Sequence, residues 1–281
     1  MKAVVQLCGG LGNQLFCYAF GLSQARKYGA ELWIDTSLND NGLCRNLEIL
    51  DMNIEYDNHI SMYYSQNKIL RRLGYNWIRR KMKIGWNTKI YKVEDAFISY
   101  KEIPMIKSTF YRGYWQNYRF FDSYKKDIRK MLTQKYEVES EYQDLKKRML
   151  ATDSVAIHIR RGDYLKNGWG LSMDYYIQCL NRISQLSKHI EVYIFSDDID
   201  FCKKEFQTIY PNAIYPSYKE KNKTIDDMLL MSNCRYMIIA NSTYSWWAAY
   251  INSREYSVIF CPIYKEWERN FYPDNWISLE A

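Results

Sequence analysis

Apolar, β-branched runs alternate with stretches of helical period along most of the chain, and this alternation sets the fold class. Residues 2–8 read as a strand, followed by Gly9-Gly10-Leu11-Gly12 and a helix from about Asn13 to Tyr28, in which Leu15, Ala19, Leu22 and Ala25 share one face. Gly29 suits the C-cap of that helix and Glu31-Leu32-Trp33-Ile34-Asp35 a second strand, so the chain opens as a βαβ unit with a Gly-rich turn. Beyond residue 150 the pattern is more regular. Strands at about 154–160, 191–196, 213–215, 236–240 and 257–261 alternate with helices near 172–187, 199–209, 224–234 and 243–253. Alternation at that spacing predicts a doubly wound parallel sheet.

Residues 40–110 show no clear period, 111–121 hold the polar-aromatic cluster Tyr114-Trp115-Gln116-Asn117-Tyr118, and Asp122 to Leu150 reads as one charged helix. The polar break Ala151-Thr152-Asp153 divides the chain into residues 1–152 and 153–281. The expectation is an α/β protein of two Rossmann-like domains facing each other across a cleft.

Composition narrows the class. With 47% hydrophobic and 25% charged residues in 281, the chain is globular, and no run of 18 uncharged apolar residues is present to cross a membrane. The apolar run after Met1-Lys2 is interrupted too soon by Gly9-Gly10 to act as a signal peptide. Seven cysteines without a CxxC pair, mostly inside apolar runs (Cys8, Cys17, Cys179, Cys261), read as reduced, buried thiols of a cytoplasmic protein. They share no ligand spacing with the three histidines, so zinc is not expected.

Candidate chemistry sits where strands stop. His158-Ile159-Arg160-Arg161-Gly162-Asp163, Phe195-Ser196-Asp197-Asp198 and Asn241-Ser242-Thr243-Tyr244-Ser245-Trp246-Trp247 each follow an apolar run and open a helical pattern. Ligands of open parallel sheets bind beyond the carboxyl ends of the strands, so the three clusters define one site. Arg160 emerges at a strand end with the planar fork that grips phosphate, while adjacent Arg161 points elsewhere and reads as structural. Asp163 orients an arginine, acts as a base, or closes a buried salt bridge. His158 shares the face of Arg160, as a reader of a base edge or as a satisfied core histidine. Asp197, Asp198 and Asp200 invite a Mg²⁺ reading, although acids at a helix start are also ordinary caps, as are Asp226 and Asp227. Ser242 and Thr243 either cup a diphosphate or simply cap their helix. The turn Gly9-Gly10-Leu11-Gly12-Asn13-Gln14 lacks GxGxxG; its glycines serve close approach to a ligand or only a tight turn.

These motifs together resemble the bacterial α-1,2-fucosyltransferases, which carry Gly-Gly-x-Gly-Asn-Gln-x-Phe, HxRRxD, SDD and NSTxSWW in this order; the Gly113-Tyr114-Trp115-Gln116 stretch is similar as well. Cys17 departs from the family, which usually has Gln after Leu-Phe. The resemblance implies the two-domain GT-B arrangement and inverting transfer of L-fucose from GDP-β-L-fucose to the 2-hydroxyl of a terminal galactose in an oligosaccharide. It implies a donor site held mainly by the second half, with Arg160 on the β-phosphate; Arg160 and, from its position beside it, Asp163 are the catalytic candidates. His158, Asp227, Ser242 and Thr243 join Arg160 there, with Asp227 accepting from guanine, and the donor-binding candidates also include Asp197 and, from the first half, Gly10, Gly12, Asn13 and Gln14. Trp115 and Gln116 are the acceptor-side candidates, and neither a metal nor another cofactor is required. The phosphate motifs leave two alternatives open: another fucosyl linkage, or a nucleotide-sugar or glycan-binding protein without catalysis.

Charge adds one further expectation. Of a formal net charge of +7, residues 58–93 contribute nine Lys/Arg and no acid, whereas the remainder is slightly acidic. So local a surplus does not describe a nucleic-acid binder. Leu70, Leu73 and Trp77 on one face of a helix, with Arg71, Arg72, Arg79 and Arg80 around them, read either as a solvated face or as a contact of residues 68–92 with anionic membrane. The expected location is cytoplasmic, peripheral to the inner face of the membrane in the second case.

Overall fold

The computed structural model describes all residues except 63, 64, 66, 95–97 and 265–270, and of Arg71 only the backbone. The described chain forms two units, Met1–Thr133 and Gln134–Ala281.

The first unit runs β1 (Lys2–Gln6), α1 (Leu11–Lys27), β2 (Glu31–Asp35), α2 (Ser37–Asp40), β3 (Asn58–Ile60), α3 (Lys68–Arg72), α4 (Tyr75–Ile84), β4 (Lys89–Lys92), β5 (Thr109–Arg112) and α5 (Lys125–Met131). Its sheet is parallel throughout, in the order β3-β2-β1-β5-β4. Successive strand residues face opposite sides. Val4 and Phe110 join Ile60, Met62 and Ile84 on one, with Trp77 of α4 against them. Tyr111 meets Phe20 of α1 edge-on, ring centroids 5.1 Å apart. Helix α1 lies so close that a Cβ on Gly21 would sit 2.7 Å from Val5 Cγ1, which leaves glycine as the residue that fits.

The basic segment departs from the expected single amphipathic helix. Gly74, at φ +73°, turns the chain between α3 and α4. Trp77 packs on the core, whereas Leu70 and Leu73 are exposed. Arg80, expected among the surface cations, is buried: Nη2 pairs with the fully buried carboxylate of Asp35 at 3.0 Å. That carboxylate also accepts from the Ser37 amide at 3.0 Å and Gln6 Nε2 at 3.3 Å.

The second unit runs α6 (Ser140–Ala151), β6 (Asp153–Ile159), α7 (Gly162–Lys166), α8 (Met173–Leu186), β7 (Ile190–Ser196), α9 (Ile199–Ile209), α10 (Lys223–Met231), β8 (Tyr236–Ile238), α11 (Thr243–Tyr250), β9 (Val258–Ile263) and β10 (Ile277–Glu280). Its five strands are again parallel, in the order β10-β9-β8-β6-β7. Val155, Ile157 and Ile159 of β6 and Val192 and Ile194 of β7 form a core with Tyr175, Tyr176, Cys179 and Ile183 of α8 and Phe206 of α9. Helices α10 and α11 pack against each other. Trp246 and Trp247 are fully buried, and Trp246 stacks on Tyr250 at 4.7 Å while its Nε1 donates to the Phe271 carbonyl at 3.0 Å.

Three expectations are corrected. The boundary lies at Thr133/Gln134 and not at 152, because α6 belongs with the second sheet: Tyr142 and Met149 are buried and Arg148 pairs with Glu191 of β7 at 2.9 Å. The single charged helix is broken into α5 and α6. The strand at 213–215 shrinks to one bridge between Ile214 and Tyr193. Five of the seven cysteines are buried, Cys8 and Cys44 partly so, and all are free thiols.

Candidate active site

In the second unit, β6 ends at Ile159 and releases Arg160 one residue later. Its guanidinium, about a quarter exposed, is held from two sides: Nη2 donates to Asp163 Oδ1 at 2.7 Å and Nη1 pairs with Asp197 Oδ2 at 3.0 Å. Asp163 stands in the first turn of α7 and Asp197 directly follows β7, so two adjacent strand ends fix one arginine. The ring of Tyr164 lies 5.5 Å from the same guanidinium. Arg161 turns away, as its neighbour's direction requires: Nε donates to Asp198 Oδ2 at 3.0 Å and its guanidinium stacks over Phe201 at 3.2 Å. That pair, with the Phe201 amide, holds the Asp198 carboxyl below the usual range. The Arg161 amide donates to Asp197 Oδ1 at 2.8 Å. Both oxygens of Asp197 are thus engaged, and Gly162 makes room for them, since a Cβ there would lie 2.7 Å from Oδ2. Asp198 caps α9 through the Phe201 amide at 3.2 Å. Asp197 and Asp198 serve arginines and a helix end here, and among the described residues no group of three His, Cys, Asp or Glu side chains is placed to hold a metal ion.

His158, two residues before Arg160, is buried with its ring 5.2 Å from that of Tyr244, and its Nδ1 meets no hydrogen-bond partner. Burial, and then the charge of Arg160, push its pKa down to about 3, so the imidazole is neutral at working pH. Ser242 caps α11, accepting from the Tyr244 amide at 3.3 Å. Thr243 follows it half-buried. Asn241 ties this helix start to the segment after α7: its Nδ2 donates to the Trp169 carbonyl at 2.9 Å, and its own carbonyl accepts from Tyr164 Oη at 3.1 Å.

Asp226 and Asp227, adjacent on α10, have different fates. Asp226 is buried and accepts from Gln134 Nε2 at 3.0 Å and Tyr136 Oη at 2.9 Å, a structural role. Asp227 lines a cavity of about 230 Å³ beside the end of β7, with Phe195, Ser196, Lys203, Tyr215 and Lys223. Burial raises its carboxyl above the ordinary range, opposed by the hydroxyl of Tyr218 and by Lys223, whose Nζ stands 3.3 Å away. Sequence reading missed both partners. Lys223 was available from the i, i+4 spacing on one helix; Tyr218 comes from a loop and carries no such signal.

In the first unit the Gly-rich turn and the polar-aromatic cluster meet. Asn13 Oδ1 accepts from Gln116 Nε2 at 2.8 Å, and Cys17 Sγ lies 3.2 Å from the Gly113 carbonyl. Gly10 and Asn13 remain partly exposed, while Gln116 is buried with Oε1 unpartnered. Three expected contact residues are instead internal. Gln14 is fully buried, donating to the Gly9 and Asn46 carbonyls and accepting from the Glu48 and Ile49 amides. Gly12 is buried within α1. Trp115, fully buried at φ +55°, stacks on Phe20 at 3.8 Å and is a core residue, not an acceptor platform.

Two Rossmann-like units of parallel sheet, each followed by helices, define a GT-B-like glycosyltransferase fold. The solved structure of NodZ α-1,6-fucosyltransferase soaked with GDP-fucose has this fold, with a TM-score of 0.56 at 11% identity over 89% of this chain and 92% of that one. The chain belongs to glycosyl transferase family 11, whose profile matches residues 67–280. An α-1,2-colitosyltransferase of Escherichia coli is 30% identical over 99% of this chain and 98% of its own length. The O-antigen biosynthesis glycosyltransferase WbnK, also of Escherichia coli, is 28% identical over 97% and 99% respectively.

Proposed function

We propose that this glycosyltransferase moves L-fucose from GDP-β-L-fucose to the 2-hydroxyl of a terminal galactose, inverting the anomeric centre. The observation that carries the reading is the partly exposed guanidinium of Arg160 at the end of β6, fixed between Asp163 and Asp197. Breaking the sugar–phosphate bond builds oxocarbenium character on the sugar and negative charge on the departing GDP. A guanidinium already oriented by two carboxylates neutralises that charge with little reorganisation. Asp163 acts by orienting Arg160. The start of α11, with Ser242 and Thr243, contributes further donors to the diphosphate. Asp227, in its cavity, accepts from the guanine edge, and neutral His158 keeps an unpartnered ring nitrogen for the donor.

A second donor is favoured by the colitosyltransferase relative. Colitose is L-fucose without its 3-hydroxyl, so the same phosphate and guanine contacts serve either sugar. Incubation of the enzyme with GDP-fucose or GDP-colitose, with and without lactose, followed by measurement of GDP release and assignment of the product linkage by NMR, tests both. Acceptor-dependent GDP release with an α-1,2 fucoside is the expected result. A different linkage, a clear preference for GDP-colitose, or binding without turnover would each replace this reading.

A further inference from the structure

Helix α4 carries its apolar residues on two opposite sides. Asn76, Arg80 and Ile84 face inward and are buried, with Trp77 beside them against the core. On the other side, at i, i+3 and i+7, Tyr75, Ile78 and Met82 form an exposed stripe. Arg79 and Lys83 run along one edge of the stripe and Lys81 along the other. Its neighbours continue the pattern: Ile69 and Leu73 are each 68% exposed and Trp86 is 67% exposed. Lys81 Nζ donates to the Trp86 and Thr88 carbonyls at 2.6 Å, which fixes the turn bearing that indole to the helix. The segment that bears the stripe carries charge of one sign, since residues 58–93 hold nine Lys/Arg and no acid.

We infer that the outward side of α4, with α3 and the Trp86 turn, docks on an anionic lipid bilayer. An outward apolar stripe between rows of cations, with Trp at its rim, is the arrangement of a helix lying in a membrane interface. There the apolar side chains enter the headgroup–acyl boundary and the long cationic stems reach the phosphates. A second copy of this chain is a poor occupant, because two such surfaces bring like charges together. The buried pair of Arg80 and Asp35 fixes which side of the helix faces outward, so the cations that matter are Arg79 and Lys83 and not Arg80.

Co-sedimentation of the full chain, without nucleotide or glycan, with vesicles of phosphatidylcholine alone or mixed with phosphatidylglycerol is the test. Binding is expected to the mixed vesicles alone and to be lost at high salt. Arg79→Ser/Lys83→Ser lowers partitioning on the order of tenfold to thirtyfold. Ile78→Ser/Met82→Ser lowers it at least tenfold, with the thermal melt and turnover on a soluble acceptor unchanged. If that pair fails to fold, Leu73→Ser/Trp86→Ser, outside the helix, gives the same reading. Recovery of the wild-type chain in the supernatant with both vesicle types overturns the proposal. Equal binding to neutral vesicles, or apolar variants that bind as wild type, do so too. A dimer in solution that the serine variants abolish makes this a self-interface and ends the proposal.

Discussion

Asp197 pairs with the guanidinium of Arg160 through Oδ2 at 3.0 Å while its Oδ1 accepts from the backbone amide of Arg161 at 2.8 Å. One carboxylate therefore fixes the direction of the arginine proposed to meet the phosphate and the course of the chain just beyond it. Arg160→Ala is expected to lower kcat by about two to three orders of magnitude, the scale of losing a preorganised donor to developing charge. Arg160→Lys should recover little of this, since an ammonium cannot bridge Asp163 and Asp197 as the fork does. Turnover close to wild type in the alanine variant would remove Arg160 from the leaving-group role.

Gly162→Ala tests the same relationship without touching either partner. Its Cβ would lie 2.7 Å from Asp197 Oδ2, and the carboxylate yields by giving up its bond to Arg160. The expected outcome is a stability loss within about 1 kcal/mol, because the pair is partly exposed, together with a fall in kcat of at least tenfold. A large drop in Tm with unaltered specific activity would contradict it.

Asp227→Asn should weaken GDP by about 1.5–3 kcal/mol, the worth of a hydrogen bond to a charged group, with little effect on the melt. Because burial raises the Asp227 carboxyl, the ionised acceptor is lost as pH falls through a value above the ordinary carboxylate range, and GDP affinity falls with it. The stability sign is opposite: with the folded pKa above the unfolded one, this group's contribution is greatest at low pH and declines as pH rises through that window. Tyr218 opposes the upward shift, so Tyr218→Phe should move the pH dependence of GDP binding, followed by titration calorimetry, to higher pH. A profile that stays in place would detach Asp227 from guanine.

How much of this was legible depends on local signal. In the second unit β6 and β7 lie within a residue of their expected positions, because their buried centres, Val155–Ile157 and Val192–Phe195, are short apolar runs, and α9 begins and ends as expected. The run at Asp122 to Leu150 misled for the opposite reason. No breaker interrupts it, and the chain leaves the helix after Met131 where Gln134 and Tyr136 bond to Asp226, far away in sequence. Strands β3, β4 and β5 span three or four residues each, too short to carry a period. The site was read from residue types at strand ends, which placed Arg160, Asp163 and Asp197 together. It erred on Trp115 and Gln14, since an indole or amide bears the same letter whether it meets a ligand or closes a core.

Arg80→Ala should cost about 3–5 kcal/mol in chemical denaturation, because it leaves the Asp35 carboxylate buried without its cation. Arg79→Ala, one residue away and outward, should stay within about 0.5 kcal/mol of wild type. Equal effects would place Arg80 at the surface.

Excess EDTA is expected to leave the rate unchanged, since Asp197 and Asp198 are occupied by Arg160, Arg161 and the start of α9. A chelator-sensitive rate restored by Mg²⁺ or Mn²⁺ would free these acids from that role.

Helix α4 cannot roll about its axis while Arg80 is tied to Asp35, so Ile78 and Met82 stay outward whatever surrounds them. In water this leaves a colloidal liability that the neighbouring cations hold in check by mutual repulsion between molecules. At ~0.15 M salt that repulsion reaches roughly 8 Å, and at 1 M only about 3 Å. Concentrated protein should therefore scatter more light as salt rises, the reverse of the salt response expected on vesicles.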